Sequence, residues 1–204
     1  PQVSPEDKIR CLEANPKPEM ASLDMGTMIR NFGPYEGTGD HIYGKTLENY
    51  ARKMKDAGVK PCMEVFNPAN FREVKNLIAK GIVEKPYFTE IVLGQPYHGG
   101  MEATPFYLFM CLLDLPEPQD TLWSVLATGK EELQMTTIGM AMGGAVRVGF
   151  EDNLYYGKGE PAKSNAQVVA RSVRIAREMG KEPTTTEETR RLLGLKSLKD
   201  KVGY

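Results

Sequence analysis

The sequence of 204 residues contains only two histidines, His41 and His98, and they are widely separated in the chain. They form neither an HxH nor an HxxxH pair, the kind of spacing that places two imidazoles on one metal ion. Each is therefore interpreted as a loop residue. The chain alone is not expected to assemble a typical catalytic zinc site with three protein ligands.

Other features are equally scarce. No apolar run approaches the roughly 18 residues that a membrane-spanning helix needs. The formal charge of −1 favours neither a nucleic-acid nor an anionic-membrane partner. The first five residues, Pro-Gln-Val-Ser-Pro, are neither a signal peptide nor a start methionine. Because Cys11, Cys62 and Cys111 are odd in number and lie among apolar neighbours, we expect reduced, buried thiols in a cytoplasmic protein.

What the sequence does contain is a regular alternation of strand and helix signals. Ser4-Pro5 predicts a leading helix that ends near Ala14. The predicted strands lie at residues 19–27, 61–66, 88–93 and 122–128 and begin again at Ala145. The predicted helices have these start and end signals: Thr46 to Gly58, Asn67-Pro68 to Gly81, Thr104-Pro105 to before Pro116, Gly129 onward, the Ser164–Gln167 capping box to Met179, and Thr185 to Gly194. Residues 29–45 are predicted to form a long loop of the kind that serves as a lid or binding loop.

Strand–helix alternation with short turns predicts parallel strands joined by right-handed crossovers. We count five such units, which fit either an open doubly wound sheet or a (β/α)8 TIM barrel. A barrel typically needs about 250 residues. We therefore expect residues 1–204 to be a single TIM-barrel domain that lacks about three N-terminal strands, with this chain covering the last five β/α units.

The stretch from Ala145 to Asn153 (AVRVGFEDN) is predicted to be a short buried strand. Alternation places Arg147 and Glu151 on one face, and Asp152 follows where the strand should end. Open loops at strand ends carry chemistry in parallel α/β folds. The alternative is that an Arg147–Glu151 salt bridge only stabilises the strand.

Polar residues recur at the predicted strand ends, where a barrel would bring them to one mouth. They are Ser22, Asp24, Thr27, Glu64, Thr128, Arg147, Glu151 and Asp152. Glu64 is the most unusual, because Cys-Met-Glu-Val-Phe places a carboxylate inside an apolar strand. It is interpreted either as a general acid or base with a raised pKa or as the partner of a Lys or Arg. Helix starts after Ser164 and Thr128 mark a corner that often receives phosphate in barrels.

Several segments resemble the β-keto acid cleavage enzymes, whose founding activity is 3-keto-5-aminohexanoate cleavage. In chain order they are SPEDKIRCLEANPKPEMASLDMGTMIRNFG, VKPCMEVFN, FTEIVLG, TLWSVLATG, VRVGFEDN, SNAQVVARSVRIARE and RRLLGL. Together they span nearly the whole chain in the order of the family.

The resemblance implies a zinc-dependent barrel that reacts a β-keto acid with acetyl-CoA to give a new CoA thioester and acetoacetate. Glu151 matches the family's zinc-ligating glutamate, Asp152 its base, Arg147 the arginine beside it, Glu64 its fifth-strand carboxylate and Thr27 its fourth-strand hydroxyl. The HxH pair, the first-strand carboxylate and the third-strand hydroxyl have no counterpart, since the likeness begins just after the third strand.

Two alternatives stay open on the sequence. In the first, the chain is a different barrel enzyme, an aldolase or isomerase that uses Glu64 and Asp152 without a metal. In the second, it is a catalytically incomplete barrel fragment. The apolar helix near residues 106–113 predicts contacts between subunits, so we expect a homo-oligomer, with a tetramer as the state implied by the resemblance.

Overall fold

The computed structural model describes residues 5–30, 33–40, 42–95 and 99–197. In chain order its strands are β1 (Met20–Asp24), β2 (Met28–Arg30), β3 (Thr38–Asp40), β4 (Lys60–Val65), β5 (Tyr87–Leu93), β6 (Thr121–Ala127), β7 (Ala145–Val146), β8 (Tyr155–Gly157) and β9 (Glu160–Pro161). Its α-helices are α1 (Pro5–Lys8), α2 (Gly44–Ala57), α3 (Phe71–Ala79), α4 (Pro105–Leu113), α5 (Glu132–Ala141), α6 (Asn165–Glu178) and α7 (Thr186–Leu193). Short 3-10 turns cover Arg10–Glu13, Gly33–Tyr35, Pro68–Asn70 and Gly129–Glu131.

Five strands form one parallel sheet in the order β1-β4-β5-β6-β7, and helices α2 to α6 follow these five strands in turn. The strands are therefore neighbours in the order in which the chain makes them. A doubly wound sheet reverses its strand order at a switch point, whereas a barrel adds each strand beside the previous one. The chain is thus α/β and forms part of a (β/α)8 barrel, which confirms the predicted fold and the five units.

The predicted helix starts are mostly confirmed by their caps. Asn67 and Asn70 form a capping box, Thr104 accepts a hydrogen bond from the backbone of α4, and Thr185 and Glu188 form a capping box at α7. These side chains satisfy backbone N–H groups that have no partner within the helix. Gly58, after α2, adopts the left-handed conformation that favours glycine at a helix end.

Three local predictions need correction, and three residues named in the sequence analysis are not tested. The second helix begins at Gly44 after Tyr43, so Thr46 lies in its first turn and is not its cap. Ser164 caps α6, but the Gln167 side chain accepts from the backbone of Lys163 at 2.7 Å, so the predicted capping box is not formed. Within residues 29–45, strands β2 and β3 pair as an antiparallel hairpin. Ser4, His41 and His98 lie outside the described residues.

The expected strand from Ala145 to Asn153 is also wrong in length. Strand β7 has two residues, paired with Ser124 and Val125 of β6, and the backbone N–H of Arg147 still donates to the Val125 carbonyl at 3.1 Å. Beyond that point the N–H groups of Asp152 and Asn153 both donate to the Gly149 carbonyl. The chain therefore turns after Arg147, and alternation along a strand does not set the side-chain directions there.

The apolar core lies between the sheet and its helices. Met63, Val65 and Ile91 of the strands are fully or almost fully buried, as are Leu47 of α2 and Leu77 of α3. Each such side chain stabilises the fold by roughly 1.5–3 kcal/mol relative to an exposed one. This packing holds the strands rigidly and so fixes where their polar ends lie.

The cysteine prediction is correct in one respect only. All three thiols are free, and Cys111 is buried, but Cys62 is partly buried and Cys11 is exposed. Cys11 lies in the 3-10 turn ahead of β1, where Leu12 is the buried residue. Within the described part of the chain, none of the helices combines the length and apolar character that crossing a bilayer requires.

Candidate active site

The guanidinium of Arg147 lies at the centre of a cluster of four carboxylates. Its nitrogens lie 3.2 Å from Asp152, 3.0 Å from Glu90, 3.2 Å from Glu151 and 3.8 Å from Glu64. The side chains of Asp152, Glu90 and Glu64 are 4%, 7% and 11% exposed, whereas that of Glu151 is 83% exposed. One cation therefore contacts three buried acids and one exposed acid, which come from β4, from β5 and from the turn after β7.

Two of these acids share a row of the sheet. The parallel register pairs Asp24 with Glu64, Glu64 with Glu90, and Glu90 with Ser124. The Ser124 hydroxyl donates to Glu90 at 2.8 Å, and Arg147 donates to the other Glu90 oxygen at 3.0 Å. Both oxygens of this buried carboxylate are thus satisfied, as a charge removed from water requires.

Glu90 is a member of the cluster that was not predicted from the sequence. It lies in Phe-Thr-Glu-Ile-Val-Leu, where an acid interrupts an apolar strand as Glu64 does in Cys-Met-Glu-Val-Phe. Like Glu64, it could have been recognised as a carboxylate that is out of place in an apolar strand. Its place between Glu64 and Arg147 makes it the link between the two predicted residues.

Asp152 is positioned by the turn that follows β7. Its N–H donates to the Gly149 carbonyl at 3.0 Å. Its own carbonyl accepts, at 2.9 Å, from the N–H of Gly129, the first residue of the 3-10 turn that follows β6. Two nitrogens of Arg147 contact its two carboxylate oxygens at 3.2 and 3.4 Å. The carboxylate is therefore held both through its backbone and in a two-point pairing with the guanidinium.

Burial and charge shift the pKa values in this cluster in ways suited to proton transfer. Burial raises the pKa of Asp152 to about 6, despite the opposing attraction of Arg147. Burial likewise raises the pKa of Glu64 to about 7, and a hydrogen bond from Ser22 partly offsets the rise. Burial alone would lower the pKa of Arg147, but Asp152 and Glu90 outweigh it and raise that pKa, so the guanidinium stays charged. Two acids that titrate near neutral pH beside a fixed cation are typical of an acid–base site.

The shifted pKa of Glu64 leads to a measurable pH dependence of stability. Its folded-state pKa of about 7 exceeds the ordinary value of 4.5, so the unfolded chain releases the proton first as pH rises. The stabilisation is complete below pH 4.5 and is lost as pH rises to 7. Relative to Glu64→Gln, which has no such proton, we expect the free energy of unfolding of the unsubstituted protein to fall by about 3 kcal/mol over that window.

Urea unfolding at a series of pH values measures this difference. Ser22→Ala is the matched counterpart, because it removes the hydroxyl that lowers the pKa of Glu64 and should extend the loss of stability to higher pH. A difference between unsubstituted protein and Glu64→Gln that stays constant from pH 4 to 8 would contradict the shift.

Glu151 and Thr27, also predicted as site residues, are not among the buried members of the cluster. Glu151 pairs with Arg147, so the predicted salt bridge is present, but its carboxylate is otherwise open to solvent. Thr27 is exposed and lies beyond the end of β1, after Gly26. The structure therefore brings Arg147, Asp152 and Glu64 together and leaves the other two on the solvent side.

Three side chains in and beside the cluster lie close enough together to be considered as metal ligands. Cys62, Glu64 and Glu90 place potential ligand atoms within 4.8 Å of one another. Burial raises the pKa of the Cys62 thiol, whereas zinc binds the thiolate, and both carboxylates already lie against the cationic guanidinium of Arg147. This group does not suit zinc. Glu151, the predicted zinc ligand, also contacts Arg147, but its exposed carboxylate has room for a further partner.

The chain matches a family model described as beta-keto acid cleavage enzyme over residues 1–195. It is 40% identical over 182 residues to a 3-keto-5-aminohexanoate cleavage enzyme of Acetoanaerobium sticklandii, a match that covers 88% of this chain and 63% of the relative. A protein of the same name from Fusobacterium nucleatum subsp. nucleatum is 39% identical, with 88% and 62% covered. A 3-dehydrocarnitine:acetyl-CoA trimethylamine transferase of Rhizobium meliloti is 33% identical, with 87% and 57% covered. The chain thus spans less than two thirds of the length of these relatives.

Two solved structures share the fold at low sequence identity. The apo structure of ObcA superimposes with a TM-score of 0.68 at 17% identity, covering 88% of this chain and 44% of that protein. The binary complex of ObcA with oxaloacetate gives a TM-score of 0.69 at 17% identity, with 88% and 46% covered. At this identity the likeness concerns the fold alone.

Proposed function

Because the chain belongs to the beta-keto acid cleavage enzyme family, we propose that the full-length protein is an acyltransferase that cleaves a β-keto acid with acetyl-CoA. The products are acetoacetate and a new acyl-CoA. The observation that carries this proposal is the Arg147 guanidinium holding buried Asp152 and Glu64 near the ends of their strands. Names of relatives that include acetyl-CoA transfer support the co-substrate.

In the first step of the proposed reaction, the cluster supplies a base. Asp152 takes a proton from the carbon between the ketone and carboxylate of the β-keto acid, and Arg147 orients the carboxylate that does so. The resulting carbanion attacks the thioester carbonyl, so a C–C bond forms and CoA leaves as thiolate. A raised pKa of about 6 makes Asp152 a stronger base than an ordinary aspartate while leaving it mostly ionised at neutral pH.

The second step separates the products. The thiolate attacks the original ketone carbonyl, and the bond between that carbonyl and the neighbouring carbon breaks. Acetoacetate leaves with the electron pair and takes up a proton, and the remaining acyl group stays on CoA. Glu64, with a pKa of about 7, is the proposed proton relay, and the Thr27 hydroxyl is the proposed donor to the developing oxyanion. The CoA phosphates are proposed to lie near the start of α6 and the turn at Gly129–Glu131.

Acetyl-CoA labelled with 13C in its carbonyl tests the proposal against simpler reactions. The label should appear in acetoacetate, and the new acyl-CoA should be unlabelled, when the full-length protein is incubated with a panel of β-keto acids. A thioesterase would instead release labelled acetate, and an aldolase or isomerase would leave acetyl-CoA intact. Mass spectrometry of both products distinguishes these outcomes, and the absence of labelled acetoacetate for every keto acid would overturn the proposal.

We propose that the full-length protein binds one zinc ion, to which Glu151 would supply one ligand and residues outside positions 1–204 would supply the others. Bound there, zinc would polarise the ketone and stabilise the enolate as a Lewis acid. We expect Glu151→Gln to weaken zinc binding by more than about 100-fold, since loss of a direct ligand exceeds the 10–100-fold cost of losing an outer-shell partner. Elemental analysis after dialysis measures the retained metal.

Glu160→Gln, which changes another exposed carboxylate on β9, is the control and should retain zinc. If Glu151→Gln keeps a full complement of zinc, Glu151 is not a ligand. If zinc is absent from active unsubstituted protein, the metal-independent barrel enzyme is favoured instead.

We further propose that residues 1–204 act as one barrel-type domain in a cytoplasmic homo-oligomer. Three apolar residues of α4 are exposed: Phe106 by 64%, Phe109 by 50% and Leu113 by 67%. Three large apolar groups on one short helix form the kind of surface that buries itself against another subunit.

A further inference from the structure

A buried ion pair, separate from the Arg147 cluster, joins helices α5 and α6. Glu132 at the start of α5 is fully buried, and its carboxylate lies 3.3 Å from the guanidinium of Arg171 on α6, a residue that is 7% exposed. These two residues have no part in the proposed reaction. Within the described part of the chain, neither forms a hydrogen bond or ion pair with Arg147 or Asp152.

Both carboxylate oxygens of Glu132 bind the turn that carries Asp152. One oxygen accepts from the backbone N–H of Gly149 at 3.3 Å. The other accepts from the side-chain amide of Asn153 at 3.1 Å as well as from Arg171. The residues bound by Glu132 therefore flank Asp152 on both sides.

Arg171 holds the far end of the same segment. Its guanidinium donates to the backbone carbonyl of Tyr156 and lies over the Tyr156 ring, with 4.5 Å between the guanidinium carbon and the ring centroid. Asn165 adds a third connection, because its side-chain oxygen accepts from the N–H of Phe150 at 2.9 Å. Residues 149–156 are thus fastened by side chains of α5 and α6.

Stability alone does not account for such a pair. A buried ion pair is often no more stabilising than apolar side chains of equal volume, because both charges must be removed from water. What apolar residues cannot provide is directed hydrogen bonds to Gly149, Asn153 and Tyr156. Since β7 ends at Val146, these bonds do for this segment what neighbouring strands do elsewhere in the sheet.

We infer that Glu132 and Arg171 are positioning residues that fix the turn bearing Asp152 in its reactive geometry, an inference that rests on the proposed function. A displacement of about 1 Å at a reacting group can cost roughly 100-fold in rate. The pair acts through the backbone on either side of Asp152 and does not touch the substrate. Its loss should therefore reduce kcat while leaving substrate binding nearly intact.

Glu132→Gln in the full-length protein is the test. Both oxygens of Glu132 accept hydrogen bonds, whereas an amide has one acceptor oxygen and one NH₂ group. The NH₂ group of the glutamine must therefore face the donors of either Gly149 or the pair Arg171 and Asn153, and the hydrogen bonds on that side are lost. We expect kcat to fall roughly 10- to 100-fold with KM changed less than about threefold. Hydrogen–deuterium exchange of the peptide covering residues 147–156 should become roughly tenfold faster.

Glu19→Gln is the matched control. Glu19 pairs through both carboxylate oxygens with the buried guanidinium of Arg190, so the same change creates the same donor conflict. Glu19 precedes β1 and lies at the opposite end of the sheet from Asp152. We expect both substitutions to lower the thermal midpoint, whereas Glu19→Gln should leave kcat and the exchange of residues 147–156 unchanged.

The outcomes separate this inference from the proposed function. Equal kcat values in Glu132→Gln and Glu19→Gln, or unchanged exchange in residues 147–156, would overturn the positioning role. If the unsubstituted protein shows no acyl transfer, the proposed function fails, and the exchange comparison still decides whether Glu132 holds the turn. If Glu132→Gln does not fold, Asn153→Ala is the second variant, and it should reduce kcat roughly three- to tenfold. It removes the hydrogen bond to Glu132 together with two bonds to the backbone of Tyr155, and it keeps the Glu132–Arg171 ion pair.

Discussion

Replacement of Asp152 by asparagine should abolish nearly all acyl transfer, with kcat falling by roughly 10³- to 10⁴-fold. Asparagine has the same shape and keeps a carbonyl oxygen that can accept from Arg147, but it cannot take up the substrate proton. Because Asp152 is assigned to the chemical step, KM for both substrates should change little. Steady-state assays with the labelled acetyl-CoA described above measure both quantities.

Asp120→Asn is the matched control for that experiment. Asp120 is a carboxylate paired with Lys85 at 2.5 Å, just before β6 and therefore at the opposite end of the strands. Its replacement should leave kcat within about twofold, as is usual for surface substitutions away from a site. Retention of more than a tenth of kcat by correctly folded Asp152→Asn would remove Asp152 from the role of base.

Replacement of Arg147 by methionine should cause the largest loss of stability of any single change in the site. Methionine fills similar space but leaves Asp152, Glu90 and Glu64 buried without their cation. Removing one partner of a buried ion pair costs about 3–5 kcal/mol, which is a large share of the stability of a typical domain. The loss should be smaller at pH 5, where Glu64, with a pKa of about 7, is protonated.

Urea unfolding at pH 5 and pH 8 measures this effect. Arg177→Met is the comparison, because Arg177 pairs with Glu182 at 3.0 Å where both side chains are more than half exposed. Such surface pairs contribute less than about 1 kcal/mol. If Arg147→Met costs no more than Arg177→Met, the four carboxylates do not depend on Arg147. Arg147→Lys should fall between the two, since an ammonium cannot bridge several carboxylates in one plane.

The features that could be predicted from the sequence are those set by periodicity and by single residues out of place. Strand and helix periods, with caps at Asn67, Thr104 and Thr185, located all five parallel units. Glu64 was recognisable because a carboxylate inside an apolar strand needs a special environment. Glu90 carried the same signal. In both cases the local sequence contains the physical reason for the residue's position.

The features that could not be predicted depend on partners distant in the chain. Glu132 follows Glu131 and looks like an ordinary acid in a first helical turn, while Arg171 looks like one of several arginines on α6. Their pairing across 39 residues has no local signature. Alternation also predicted too long a final strand, because the hydrogen bonds that turn the chain at Gly149 come partly from Glu132 and Asn165.

The brevity of β7 has a consequence for how this scaffold can be altered. With only two residues in the ladder, the reactive segment is tethered to the helical layer and is largely independent of the strand backbone. Variants intended to change the geometry of this segment should therefore alter the faces of α5 and α6 that meet it. Such changes would shift the segment slightly while the hydrogen bonds of the β-sheet are kept.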